Sequence, residues 1–174
     1  MTFTFKTFSL EETYLPISQR LTIDEKNDKL FLREAETIPF PVTDGSILDA
    51  TIRFYVAHPH VKMNRSAATA LGVDKRDLSS AIHLLTGMNH DEFLRQYRLR
   101  AILEVINTTT LSVLTIAKFF GYASIHSLNR FLTDQTQLTA NEIRDKRDAT
   151  EKKKRGSWMH APDLDTELVT SRNL

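Results

Sequence analysis

Ser112-Val113-Leu114-Thr115-Ile116-Ala117-Lys118-Phe119-Phe120-Gly121-Tyr122-Ala123-Ser124-Ile125-His126-Ser127-Leu128-Asn129-Arg130-Phe131-Leu132 decides how this chain folds. Ser112 can cap a short helix whose inner face carries Val113, Ile116, Ala117 and Phe120, and Gly121 breaks it. Ser124 can cap a second helix with Ile125, Leu128, Phe131 and Leu132 turned inward. A short helix, a glycine turn and a longer helix follow one another without spare residues.

The same grammar occurs earlier in the chain. Ala68, Gly72 and Val73 recur 49 positions later as Ala117, Gly121 and Tyr122. Leu78, Ile82, Thr86, Asn89 and Glu92 recur 50 positions later as Leu128, Leu132, Thr136, Thr139 and Glu142. One inserted residue in the second turn accounts for the change of offset. The repeat therefore describes two helix-turn-helix units. The first has helices over about Asn64 to Leu71 and from Asp74 to before Gly87.

Between the units, Asn89-His90-Asp91-Glu92 has the spacing of a capping box and opens a long helix to about Ile106. Its apolar positions Phe93, Leu94, Tyr97, Ala101, Ile102, Val105 and Ile106 form a stripe broad enough to bury against helices at both ends. A helix carrying Leu48, Ile52, Tyr55 and Val56 precedes the first unit and stops before Pro59. Thr139-x-x-Glu142 is a second capping box, opening a short last helix around Arg144.

Three regions emerge from these patterns. Residues 1–46 are a small appendage, in which Leu21/Ile23 and Leu30/Leu32 alternate around a polar turn and suggest a β-hairpin, the alternative being a loosely ordered arm. Phe3, Phe5 and Phe8 alternate less regularly. Residues 47–149 are the double helix-turn-helix, and 150–174 read as a polar, basic, disordered tail. The expected fold class is all-α, with two helix-turn-helix subdomains on one central helix.

Charge says little until it is divided. The whole chain of 174 residues is +1, but residues 1–46 hold five Lys/Arg against eight Asp/Glu, and 47–149 hold thirteen against ten. The acidic appendage and mildly basic middle mean that affinity for nucleic acid has to come from placement rather than bulk charge. There is no cysteine, which removes thiolate metal sites and disulfides. His58-x-His60 brings two imidazoles without carboxylate company, too little for a metal site. No Gly-rich phosphate loop or nucleophile elbow is present, so neither an enzyme nor a cofactor is expected. No apolar run reaches bilayer length, and a soluble cytoplasmic protein is the expectation.

The run Gly121 to Leu132, with Ile116-Ala117 before it, resembles the signature of the AraC/XylS family of transcriptional regulators. Ala68-x-x-Leu71-Gly72-Val73, Leu78-Ser79, Thr86-Gly87-Met88 and Tyr97-Arg98-Leu99-x-Ala101 match as well, giving a gapless resemblance from about Val61 to Arg144. It departs at Ser80, where the family usually places Arg, and at Leu128, Gln137 and Ala140, where it has Phe, Gly and Pro. The resemblance implies a DNA-binding domain. Residues 1–46 are too few for the family's cupin-like ligand pocket, so small-molecule induction and receiver control are not expected.

In a helix-turn-helix the second helix enters the major groove, and two units on one rigid helix can reach successive grooves roughly 34 Å apart. Helical spacing turns Lys75, Arg76, Ser79, Ser80 and His83 outward on the first recognition helix. On the second it turns out His126, Ser127, Asn129, Arg130 and Thr133, with Ser124 at the helix start. Arg130, Asn129 and His126 are the candidates for base edges, and Lys75 and Arg76 for phosphates or nearby bases. Lys62, Asn64 and Arg65 are candidates for phosphates. A bland alternative pairs Arg130 with Asp134 at i, i+4, and leaves Lys152 to Arg155 a solvated charge run. The partners expected are double-stranded DNA and RNA polymerase, with a second copy or another protein through residues 1–46. The competing function is a protein-protein interaction module on a degenerate helix-turn-helix scaffold.

Overall fold

The computed structural model describes residues 7–33 and 47–158. Phe3 and Phe5 of the imperfect alternation, and residues 159–174 of the expected tail, lie outside the described residues. The chain opens with a short helix, α1 (Leu10–Thr13), a single 3-10 turn (Ile17–Arg20), and two strands, β1 (Leu21–Asp24) and β2 (Lys29–Leu32). Seven helices follow: α2 (Ile47–Ala57), α3 (Asn64–Leu71), α4 (Lys75–Thr86), α5 (His90–Thr108), α6 (Val113–Phe119), α7 (Ile125–Thr136) and α8 (Ala140–Trp158). The strands pair antiparallel with Leu21 opposite Leu32 and Ile23 opposite Leu30, so the mostly helical fold carries the suggested hairpin. Among the described residues no helix is long and apolar enough to cross a membrane.

Both repeats close their turns with the same hydrogen bonds. After α3, the Gly72 amide donates to Thr69 and the Val73 amide to Ala68; after α6, Gly121 donates to Lys118 and Tyr122 to Ala117. Each is the crossed pair that ends a helix in a left-handed residue. After α4 and α7, Thr86 and Thr136 place a hydroxyl 2.7 and 2.8 Å from the carbonyls of Ile82 and Leu132. Those hydroxyls also take the amides of Met88 and Leu138, at 3.2 and 3.3 Å. The repeat is thus one of hydrogen bonding as well as residue type.

Two turn positions are not equivalent. Gly72 has open space where a Cβ would sit, whereas a Cβ on Gly121 would come 2.7 Å from the His60 carbonyl. At the ends of α4 and α7, Gly87 has φ +73° and Gln137 φ +63°. Gln137 therefore occupies the conformation that a side chain disfavours and glycine does not.

α5 is the spine. Its buried residues are His90, Phe93, Leu94, Tyr97, Arg98, Ala101, Ile102, Val105 and Ile106. They share one core with Leu48, Ile52, Leu78 and Ile82 of the first unit and Ile116, Ala117, Leu128 and Leu132 of the second. Phe8, Tyr14, Ile17, Leu21 and Leu30 belong to that core too. Residues 7–33 are therefore a strap folded along the spine rather than a separate appendage. The Glu104 carboxylate on α5 accepts from the Tyr14 hydroxyl and from the amides of Ile17 (3.1 Å) and Ser18 (3.0 Å).

Three local expectations are corrected. Asn89 caps α5 by accepting from the Glu92 amide at 2.8 Å, but Glu92 does not reach back. Its carboxylate is drawn instead to Arg95 at 3.0 Å and the Gln96 amide at 2.8 Å. Ile125 is 40% exposed, because it opens α7 a turn ahead of the buried pair Leu128 and Leu132. The last helix is not short: α8 runs to Trp158, nine residues into the expected tail. Arg147, 3.2 Å from the carbonyls of Ile106, Asn107 and Thr109, holds its middle to the end of α5.

Two stability predictions follow from these placements. Gln137→Gly should raise unfolding free energy by about 0.5–1 kcal/mol, whereas Gly121→Ala should lower it by about 2 kcal/mol or more, through left-handed strain and the clash with His60. Urea unfolding followed by helical ellipticity measures both, and equal effects at the two positions would contradict the assignment. His90, only 1% exposed, has an imidazole held below its ordinary pKa of 6.5, chiefly by burial and further by Lys75, with Asp91 opposing. The unfolded chain then takes up the proton first, so stability should fall as pH drops from about 7 to about 5.5. His90→Gln should flatten that slope; equal slopes in both proteins would discount the histidine.

Candidate nucleic-acid interface

Recognition helix α4 starts from Asp74, whose carboxylate accepts from the Arg76 amide at 2.7 Å. α7 starts from Ser124, which accepts from the Ser127 amide at 3.1 Å. On each, two fully buried residues (Leu78 and Ile82; Leu128 and Leu132) pin one face to the core and thereby choose the face turned to solvent. That outward face is the same in both units. Arg76, Ser80 and His83 are exposed on α4, as are His126, Arg130 and Thr133 on α7. These are equivalent positions of the repeat at i, i+4 and i+7, a single line along each helix.

The two lines carry different chemistry. α4 presents Arg–Ser–His with Lys75 exposed beside it, and α7 presents His–Arg–Thr. Arg130 makes no ion pair with Asp134 among the described residues, so its guanidinium stands free at the centre of its line. Exposed Ile125 occupies the place on α7 that Lys75 holds on α4, and adds an apolar contact that was expected to be inside.

Other candidates are placed less simply. Ser79 and Asn129, equivalent in the repeat, are half-buried. The Asn129 Oδ1 accepts from the Ala140 amide at 3.0 Å and so ties α7 to the start of α8. Ser127 and Ser124 are occupied with each other in a capping box. Arg65 is exposed in the first turn of α3, whereas Asn64 is only 6% exposed, so its side chain does not face solvent. Lys62 is exposed but lies 4.3 Å from the centre of the Tyr122 ring. Its amine is held below the ordinary lysine range by partial burial and then by the neighbouring Arg98. His58 has its Nδ1 2.9 Å from the Phe54 carbonyl and its ring stacked on Phe54. Lys152 to Arg155 are exposed on the last turns of α8.

One residue that braces this site was read from sequence only as part of the Tyr97-Arg98-Leu99 match, with no role assigned. Arg98, 8% exposed, donates to the Phe120 carbonyl at 3.0 Å and lies against the rings of Tyr122 and Phe131 at 5.1 and 5.8 Å. Burial is the main reason its guanidinium sits below the usual arginine range, with Tyr122 opposing that shift. It joins α5 to the turn between α6 and α7 and so helps to fix the direction of α7. Its signal in the sequence was a charged residue in the middle of an apolar stripe.

Residues 67–146 match the family model of a helix-turn-helix domain. No curated protein and no solved structure matches the chain. The matched span starts inside α3 and ends inside α8, so it takes in both turns, both recognition helices and the spine between them. The match, under half of the 174-residue chain, supports the resemblance to an AraC-type helix-turn-helix domain and, in general, a DNA-binding transcriptional regulator.

Proposed function

We propose that the protein reads one duplex with two heads, α4 in one major groove and α7 in the next. The observation that carries this reading is the pair of equivalent outward lines, Arg76–Ser80–His83 and His126–Arg130–Thr133, held by one buried spine. α5 has 19 residues, about 28 Å at helical rise, comparable with the ~34 Å between successive grooves on one face of DNA. Because the lines differ, the two half-sites differ, and the site is not a palindrome.

Arg130 is the primary reader of guanine in its half-site, since an unpaired guanidinium can take both acceptors of that base. Ile125 beside it suits a thymine methyl group. Asn129 is the weaker reader, because its carbonyl oxygen already serves α8. Arg76 and Lys75 serve the first half-site, and Arg65 and Lys62 serve phosphates. The protein acts in the cytoplasm without catalysis or cofactor, by recruiting or obstructing RNA polymerase.

Selection of bound duplexes from a random pool tests this directly. Two unlike half-sites about ten base pairs apart are expected. Arg130→Ala and Arg76→Ala should each relax a different half, at about 1–3 kcal/mol, roughly 5- to 150-fold in affinity. If no duplex is enriched and binding shows little salt dependence, the interaction-module reading takes its place, because counterion release makes DNA affinity fall steeply with salt.

A further inference from the structure

The loop between α5 and α6, residues 109–112, is where the second unit joins the spine, and it is gripped from two sides. From the hairpin, Glu25 accepts from the Thr110 amide at 2.9 Å. Asp28 accepts from the Ser112 amide at 2.7 Å and from the Ser112 hydroxyl at 2.6 Å. The same carboxylate accepts from the Thr115 hydroxyl at 2.8 Å. From α8, Arg147 donates to the Thr109 carbonyl at 3.2 Å and Arg144 donates to the Leu111 carbonyl. Carboxylates hold the amides of this joint and arginines hold its carbonyls.

The hairpin tip is built to make that grip. Asp24 fixes the turn by accepting from the Asn27 amide and side chain at 3.1 and 2.7 Å. Asp28 adopts φ +51°, a conformation costly for most side chains but tolerated by Asp, and its carboxylate is thereby delivered to α6. At its other end the strap reaches the first unit, where the Phe8 amide donates to the Leu85 carbonyl in the last turn of α4 at 2.7 Å. One strand of chain therefore touches the first recognition helix, the spine and the foot of the second unit.

We propose that residues 7–33 are an orientation lock: Asp28 and Glu25 are positioning residues that fix the second recognition helix relative to the first and so set the spacing between half-sites that the protein accepts. This rests on the two-headed reading of DNA. Without the hairpin bonds the second unit would still be held to α5 by the shared core, Arg98 and α8, but its orientation about the four-residue joint would be less narrowly fixed. A mobile second head gains less from being tethered to the first, because its effective concentration at the neighbouring half-site is spread over many orientations.

The chain contains no cysteine, so spin labels at Leu84→Cys and Asp134→Cys, equivalent exposed positions on α4 and α7, report their separation directly. A single narrow distance distribution is expected with the native strap. Asp28→Gly together with Glu25→Gln should broaden it at unchanged helical content, since glycine keeps the turn and loses the carboxylate. The same variant should lose about tenfold of its preference for the native spacing over one changed by roughly two base pairs, while keeping its affinity for an isolated half-site. An unchanged distance distribution, or a uniform loss of affinity at every spacing, overturns the proposal. Should helical content fall as well, Asp28→Asn, which tolerates the same left-handed conformation but removes the carboxylate, is measured in its place under the same criteria. If the unsubstituted protein selects no duplex, the DNA reading fails on its own and the label distances still decide the lock.

Discussion

Both halves of this chain are built against one helix that is buried on more than one side. α5 presents Phe93 and Leu94 toward its start and Val105 and Ile106 toward its end, and all four are at most 3% exposed. A helix enclosed in this way cannot slide or roll without opening core on two sides, since protein interiors are packed too densely to absorb the change. Each recognition helix is in turn pinned by two fully buried residues. The direction of every exposed side chain on α4 and α7 therefore follows from packing several residues away from any DNA.

Apolar packing alone would leave the joints soft, and it is at the joints that the polar interactions concentrate. Backbone groups at these joints take charged partners: Glu104 for the strap, the buried Arg98 for the turn after α6, Arg144 and Arg147 for the carbonyls of the loop after α5, and, on its exposed side, Glu25 and Asp28 for the Thr110 and Ser112 amides. Hydrogen bonds to charged groups are shorter and stronger than neutral ones, and each of these spans many residues of sequence. They convert a chain of helices with short links into a frame. Arg98 shows the same economy at the buried end, where aromatic faces stand in for a carboxylate that the core has no room to hydrate.

The internal repeat makes the two units alike in their turns and buried faces, and the outer lines are where they differ. The turn hydrogen bonds, threonine hooks and buried leucine or isoleucine pairs are retained in both copies, because the fold of each unit depends on them. The exposed positions, free of packing, are Arg–Ser–His in one unit and His–Arg–Thr in the other. Where the second copy departs from the rules of the fold, as at Gln137, the strain is local and the helix still ends at the same place.

Helices α2 to α7, the caps Asn89, Ser112 and Ser124, the two glycine turns and the repeat were legible in the residues, because each depends on neighbours within a few positions; the short α1 behind Ser9 was not read. The exposed line on each of α4 and α7 was legible for the same reason, as the complement of a periodic apolar face, whereas Ser79, Ser127 and Asn129, read as outward, are half-buried. What the residues could not disclose were contacts made across some twenty to ninety positions. The hairpin pattern was visible, but not that Asp28 would seat on Ser112, nor that Arg98 would be buried against Tyr122. The length of α8 also escaped, because its polar sequence has no apolar period and its helix is held by Arg144 and Arg147 reaching the end of α5. Local propensity and periodicity act along the chain and can be read from it. The strap, the joint and the buried arginine exist only where distant segments meet, and there tertiary packing decides which polar group finds which partner.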